Sequence, residues 1–156
     1  MEFSQVGATQ AVAAPLDVAA QARHRAEMWA PAFDELALDL PESLTARVTP
    51  EIVDVVLDAL LDNAAKFAPG SLVEVSLRPA GDEAVLVVRD HGPGLHAEDV
   101  DKVGARFFRG REHQNIDGTG LGLAIVRARV EDFGGSFAAG PADGGGLAVR
   151  VGLPLA

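Results

Sequence analysis

The chain has no cysteine, few basic residues and no long apolar run. Without cysteine there is neither a disulfide framework nor a thiolate metal site, which agrees with a reducing compartment. No apolar stretch approaches the roughly 20 residues needed to cross a bilayer, and the first residues lack the basic start, apolar core and cleavage site of a secretory signal. Lys and Arg number 13 against 23 Asp and Glu, a formal net charge of −10. A general nucleic-acid binder spreads basic side chains over one face, so this balance argues against that class. What remains is 156 residues with 48% apolar content, one globular domain's worth of chain.

The basic residues are unevenly placed, with Lys102, Arg106, Arg109 and Arg111 crowded into one polar stretch. Such a patch, together with a divalent cation, can hold a triphosphate on an acidic protein; a solvated loop face is the plain alternative.

Met1 to Ala14 is rich in Ala, Gln, Ser and Thr without a usable period, and reads as a flexible leader or the stump of a longer protein, leaving 15–156 as a single domain. Apolar residues at Leu16, Ala19, Ala20, Ala26, Trp29 and Ala30 predict an amphipathic helix over Leu16–Phe33, with Asp17 near its start and Pro31 near its end. Leu36, Leu38 and Leu40 alternate as a strand stopped by Pro41, and a short extended piece through Arg47-Val48 follows. The clearest helix opens at Pro50 and Glu51 behind Thr49 as cap, with Val53, Val56, Leu57, Leu60, Ala64 and Phe67 on one face and Pro69-Gly70 at its end. Strands over Leu72–Arg78 and Ala84–Arg89 flank a turn at Gly81-Asp82.

The second of these strands runs into Asp90-His91-Gly92-Pro93-Gly94. A long polar segment of about 95–117 comes next, and a connection of that length in a compact domain is functional or mobile, so it reads as a lid. Asp117-Gly118-Thr119-Gly120-Leu121-Gly122-Leu123 then turns into an apolar helix reaching about Phe133, closed by Gly134-Gly135. Strands Ser136–Ala139 and Leu147–Leu153 finish the chain around a turn at Ala142–Gly146.

Three constellations carry chemistry. Glycines at alternate positions, Gly118, Gly120 and Gly122, let backbone N–H groups approach a ligand, and the helix behind them adds its positive end; this suits a phosphate chain, though such loops also serve as turns. Asn63 and Lys66 are three residues apart and share a helix face: an amide oxygen can ligate Mg²⁺ and an ammonium can meet a phosphate oxygen. The pair is equally at home near any helix C-terminus. Asp90 at a strand end is a pure acceptor, matched to an exocyclic amine, with Gly92 and Gly94 keeping side chains out of a ring's path; a structural turn is the alternative. Dinucleotide, P-loop and protein-kinase fingerprints fail on the letters.

In this order and spacing the motifs resemble the N, G1, F and G2 boxes of the catalytic ATP-binding domain of sensor histidine kinases, the Bergerat-type fold shared with gyrase, Hsp90 and MutL; the resemblance covers roughly Leu16 to Ala156. It implies an α+β fold, a two-layer α/β sandwich with one mixed sheet against a layer of helices and an ATP lid. It also implies roles. Asn63 would ligate the Mg²⁺ that bridges the phosphates, Lys66 would contact a phosphate, and Asp90 would accept from the adenine amine with Gly92 and Gly94 shaping the pocket. Phe107, Phe108 and Arg109 would belong to the lid, the arginine reaching the triphosphate or the partner domain. Gly118, Thr119, Gly120, Leu121 and Gly122 would supply the hinge and backbone amides around the phosphates.

The implied partners are ATP, a histidine-bearing dimerisation domain and, indirectly, a response regulator. The implied setting is a cytoplasmic domain, monomeric on its own, of a parent protein that can be anchored in the membrane. None of the four histidines, His24, His91, His96 and His113, has the acceptor context of Glu or Asp and then Pro, so the acceptor is expected on another domain. A serine kinase of the anti-sigma-factor type and a degenerate nucleotide-binding module share the fold as alternatives.

One position departs from the pattern. Four residues before Asn63 the family carries an Asn, or in its ATPase branch a Glu that activates water; here the residue is Ala59. Alanine can do neither job. Phosphate release by the isolated domain is therefore expected to be very slow in a steady-state assay, and turnover comparable to a dedicated ATPase would reveal another base.

Overall fold

The computed structural model describes residues 13–68, 70–91, 121–132, 134–142 and 145–156. Its elements, in chain order, are β1 (Ala14–Asp17), α1 (Val18–Trp29), a 3-10 turn (Ala30–Ala32), β2 (Glu35–Asp39), β3 (Thr45–Val48), α2 (Ile52–Phe67), β4 (Leu72–Ala80), β5 (Glu83–Asp90), α3 (Leu121–Asp132), β6 (Ser136–Pro141) and β7 (Leu147–Pro154). Five strands form one sheet in the order β2-β4-β5-β7-β6, and β1 pairs with β3 in a separate two-stranded sheet. Only β2 runs parallel to its neighbour β4; the other pairs are antiparallel, so the sheet is mixed.

Alternation decides which face the helices cover. Val73, Val75 and Leu77 of β4, Leu86 and Val88 of β5, and Val149, Val151 and Leu153 of β7 are buried on one side, because side chains two apart on a strand share a face. Against them lies α2, burying Ile52, Val53, Val56, Leu57, Leu60, Leu61 and Ala64 at helical spacing. Helix α1 packs on one flank of α2, α3 on the other, and α3 also covers β6 and β7. This is the expected two-layer α/β sandwich.

Chain direction places the site. Helix α2 leads through Ala68 and Ser71 into Leu72, and Val73 pairs with Asp90, so the C-terminal ends of α2 and β5 lie at one end of the sheet. Gly134 and Gly135 close α3 with N–H bonds to Glu131 and Val130, Gly134 taking the positive φ of 82° that an αL helix stop requires. The chain then enters β6 at Ser136, opposite Gly152, and leaves at Pro141, opposite Leu147. Packed back along β6, α3 has its first residue, Leu121, toward the Asp90 end.

Two local expectations are corrected. The helix read over Leu16–Phe33 is shorter: Leu16 is in β1, paired with Ala46, because the Asp17 carboxylate caps the helix start by accepting from Ala19 and Ala20 N–H at 3.1 and 3.2 Å. Thr49 is not the cap of α2. Its carbonyl accepts the Ile52 N–H at 3.2 Å in a tight i to i−3 turn around Pro50, which moves the cap position to Glu51; the Thr49 hydroxyl is buried with no hydrogen-bond partner among the described residues. The leader to residue 12, the lid and the side chain of Phe67 lie outside the described residues.

Asp17 is also a junction, since the same Oδ1 accepts Leu44 N–H at 3.2 Å. That bond, with those from Ala20 and Ala19 and the charge of Arg23, holds its carboxyl below the usual value. Replacing Asp17 with Ala is expected to cost about 1 kcal/mol in urea unfolding, the usual scale of a lost cap, with Asp17→Asn milder because it keeps an acceptor oxygen. Equal stability of Asp17→Ala and the parent would show that solvent replaces all three bonds.

Candidate functional site

Burying the apolar stripe of α2 turns its opposite margin outward, and that margin carries Asp58, Ala59, Asp62, Asn63 and Lys66, all half-buried. Asn63 and Lys66 sit in the last turns of α2, at the end where β5 finishes. Lys66 Nζ lies 3.1 Å from Asp62 Oδ2, one helical turn earlier, with the two side chains 36% and 49% exposed. Asp90 is only 6% exposed, and its Oδ1 accepts the N–H of Leu147 at 3.2 Å. Gly146 makes that bond reachable: with φ 90° and any Cβ driven into the Asp90 carbonyl oxygen, it lets the β6–β7 turn lie against the end of β5. Beyond Asp90, His91 Nε2 donates to the Glu74 carboxylate at 2.9 Å.

The fold therefore gathers Asn63, Lys66, Asp90 and the start of α3 at Leu121 at one end of the sandwich. Gly92, Gly94, Phe107, Phe108, Arg109, Gly118, Thr119 and Gly120 lie outside the described residues, as do the side chain of Leu121, the environment of Gly122 and the basic cluster from Lys102 to Arg111.

An open groove of about 620 Å³ runs between α1, α2 and α3 along the middle of α2. Met28 and Ile125 line it at 59% and 46% exposure, with Ala59 and Asp62 on its α2 wall. Arg25 of α1 grips Asp58 bidentately, Nε to Oδ1 at 2.8 Å and Nη2 to Oδ2 at 2.7 Å, while Trp29 Nε1 donates to the same Oδ1 at 2.9 Å. Sequence reasoning missed this clamp and also missed Asp62. The clamp joins residues far apart in sequence and leaves no local trace. The Asp62-Lys66 spacing of four was a readable signal.

The donor set fits a nucleotide-borne magnesium ion. Among the described residues no group of three or more His, Cys, Asp or Glu could hold a metal by itself. Mg²⁺ is normally bound through one or two protein oxygens plus substrate phosphates and water, and the amide oxygen of Asn63 is a hard ligand of that kind. No helix among the described residues is long and apolar enough to cross a membrane.

A mixed sheet backed by the three helices of the described residues, with polar helix margin, buried carboxylate and helix start converging at one end, is the frame of an ATP-binding α/β sandwich domain. The chain belongs to the histidine kinase-, DNA gyrase B- and HSP90-like ATPase family, whose profile matches residues 49–156. It is 32% identical over 121 residues to the sensor protein KdpD of Mycobacterium tuberculosis, covering 78% of this chain and 14% of that protein. The mycobacterial sensor histidine kinase MprB superposes with a TM-score of 0.74 at 29% identity, covering 91% of this chain and 98% of that one. Full-length ShkA in complex with AMPPNP gives 0.77 at 25% identity over 96% of this chain and 32% of that one. The chain is thus a catalytic ATP-binding domain of the histidine-kinase type, spanning a small part of the length of the curated relative, and the serine-kinase alternative is not favoured.

The Arg25 guanidinium, with the Trp29 N–H, holds the Asp58 carboxyl below the usual carboxylate range against the opposing effect of burial. A carboxyl depressed in the folded state adds stability above its unfolded value, near pH 4, and loses it as pH falls through the folded value. Asp58→Asn is expected to lower stability near pH 7 by about 1 kcal/mol, the pair being partly exposed, and the gap to the parent should begin to shrink below about pH 4 and narrow further as pH falls through the folded value. Urea unfolding at pH 7 and pH 3 checks this; a gap unchanged at pH 3 would assign the loss to packing.

Proposed function

We propose that this domain binds Mg-ATP at the Asp90 end of the sandwich and presents the γ-phosphate to a histidine on a separate helical dimerisation domain, for onward transfer to a response regulator. The observation that carries the reading is the buried carboxylate of Asp90, fixed by Leu147 N–H at the end of a central strand. A carboxylate so oriented accepts an adenine amine without further reorganisation, and it can accept more than one hydrogen bond at once. Gly92 and Gly94 keep the ring's approach clear. Asn63 holds the metal, Lys66 meets a phosphate oxygen, and Gly118, Thr119, Gly120, Leu121 and Gly122 turn backbone amides and the positive end of α3 toward the phosphates. Phe107 and Arg109 belong to the lid over about 95–117.

When bound, the metal neutralises charge on the phosphates. The chain's own task is positioning: an imidazole nitrogen forms the N–P bond as the β,γ-bridging P–O bond breaks and ADP departs, a loose transfer that needs alignment more than covalent help from the protein. The binding of AMPPNP by the related ShkA supports the nucleotide assignment, and a cytoplasmic setting follows from the ATP requirement.

Titration with a fluorescent ATP analogue in Mg²⁺ is expected to show binding that Asp90→Asn abolishes; an unchanged affinity undoes the adenine assignment. With labelled ATP and a candidate dimerisation domain, the product should carry an acid-labile phosphoryl bond. An acid-stable bond would point to a hydroxyl acceptor instead.

A further inference from the structure

The two carboxylates lining the groove on α2 are each already matched by a cation. Asp58 is held by Arg25, and Asp62 by Lys66 at 3.1 Å. Lys66 therefore does not present an unopposed charge: its ammonium is neutralised before any nucleotide arrives. Asp90 adds a further carboxylate at the same end, so Arg25, Lys66, Asp58, Asp62 and Asp90 together leave the described part of the site one charge negative.

This bears on what the site accepts. For Lys66 to turn to a phosphate it must leave Asp62, and the freed carboxylate then stands on the residue adjoining Asn63. The exchange is easy, because an exposed pair spaced four apart on a helix is a weak interaction. Ala59, on the same groove wall, offers neither partner an alternative hydrogen bond. A bare polyphosphate meets that carboxylate as a like charge, while one carrying a divalent cation meets it as an attraction.

Resting on the ATP-binding reading above, we propose that Asp62 is a specificity-determining residue that makes the site discriminate against metal-free nucleoside triphosphate, holding Lys66 in the empty site and facing the metal in the filled one. In the filled site Asp62 acts by its own charge, so its effect on this discrimination persists when Lys66 carries none.

The test is a set of dissociation constants for a fluorescent ATP analogue, measured in Mg²⁺ and in EDTA, for the whole chain and its Asp62→Asn, Asp62→Glu, Lys66→Met and Asp62→Asn/Lys66→Met variants. Both side chains are substantially exposed, and thermal unfolding followed by circular dichroism verifies that each variant is folded. The ratio of the EDTA constant to the Mg²⁺ constant is expected to fall about five-fold in Asp62→Asn, the scale of one screened unit charge at close range. Asp62→Glu keeps the pair and should keep the parental ratio. With Lys66 already replaced, adding Asp62→Asn should lower the ratio by about as much again, because the carboxylate is then free from the start. An unchanged ratio in Asp62→Asn overturns the role of Asp62 while leaving the nucleotide reading intact, and a ratio unmoved by Asp62→Asn in the Lys66→Met background overturns the claim that it acts by its own charge. A parent chain that binds neither form overturns the nucleotide reading and this inference with it.

Discussion

The rotational setting of α2 governs the rest of the molecule. Its stripe of Ile52, Val56, Leu57, Leu60, Leu61 and Ala64 is buried against the sheet, and each of these large side chains contributes roughly 1.5–3 kcal/mol by leaving water. Turning the helix by one residue would draw an aspartate under it and push a leucine out, exchanging several such contributions for an unpaired buried charge. The apolar side thus determines where Asn63 and Lys66 point, although neither belongs to the core. Asp58 adds a lateral tie to α1, and Leu123, Val126 and Val130 of α3 close the other flank.

Electrostatics is arranged locally instead of globally. A chain with a net charge of −10 has no field that would draw in a polyanion. Along α2 Asp58 is answered by Arg25 and Asp62 by Lys66, and on the open face of the sheet Arg78 meets Asp39 at 2.7 Å while Arg89 and His91 meet Glu74. The described ligand end is close to balanced, so among the described residues no excess of positive charge draws in a polyphosphate.

Much of this was readable from the chain itself, for physical reasons. Strict alternation in β4 and β5 and a clean helical period in α2 come from burial on one side only, and these elements lie within two residues of where periodicity puts them. Asp90 was legible because a strand of alternating character stopped at it, and Asn63 with Lys66 because three residues nearly complete a turn. What escaped depends on contacts between distant segments. β1 exists because Ala14 to Asp17 find Thr45 to Val48, and a stretch of Ala, Pro and Leu gives no period to announce it. Thr49 looked like a cap by type, yet Pro50 tightens the turn and hands that position to Glu51. Asp62 was overlooked since a motif reading attends to the letters that match and not to the neighbour that pairs with them.

The strand order carries a consequence for how the chain is made. β5, in the middle of the sheet, has β7 as one neighbour, with Arg89 opposite Ala148 and Glu83 opposite Pro154, so the centre of the molecule waits for a strand synthesised far later than itself. A nascent chain that has emerged only as far as α3 holds β4 and β5 as a hairpin with a bare, valine-rich edge, the kind of surface that sticks to other chains and slows folding. On the ribosome, this domain cannot complete its sheet until nearly every one of its residues has left the exit tunnel.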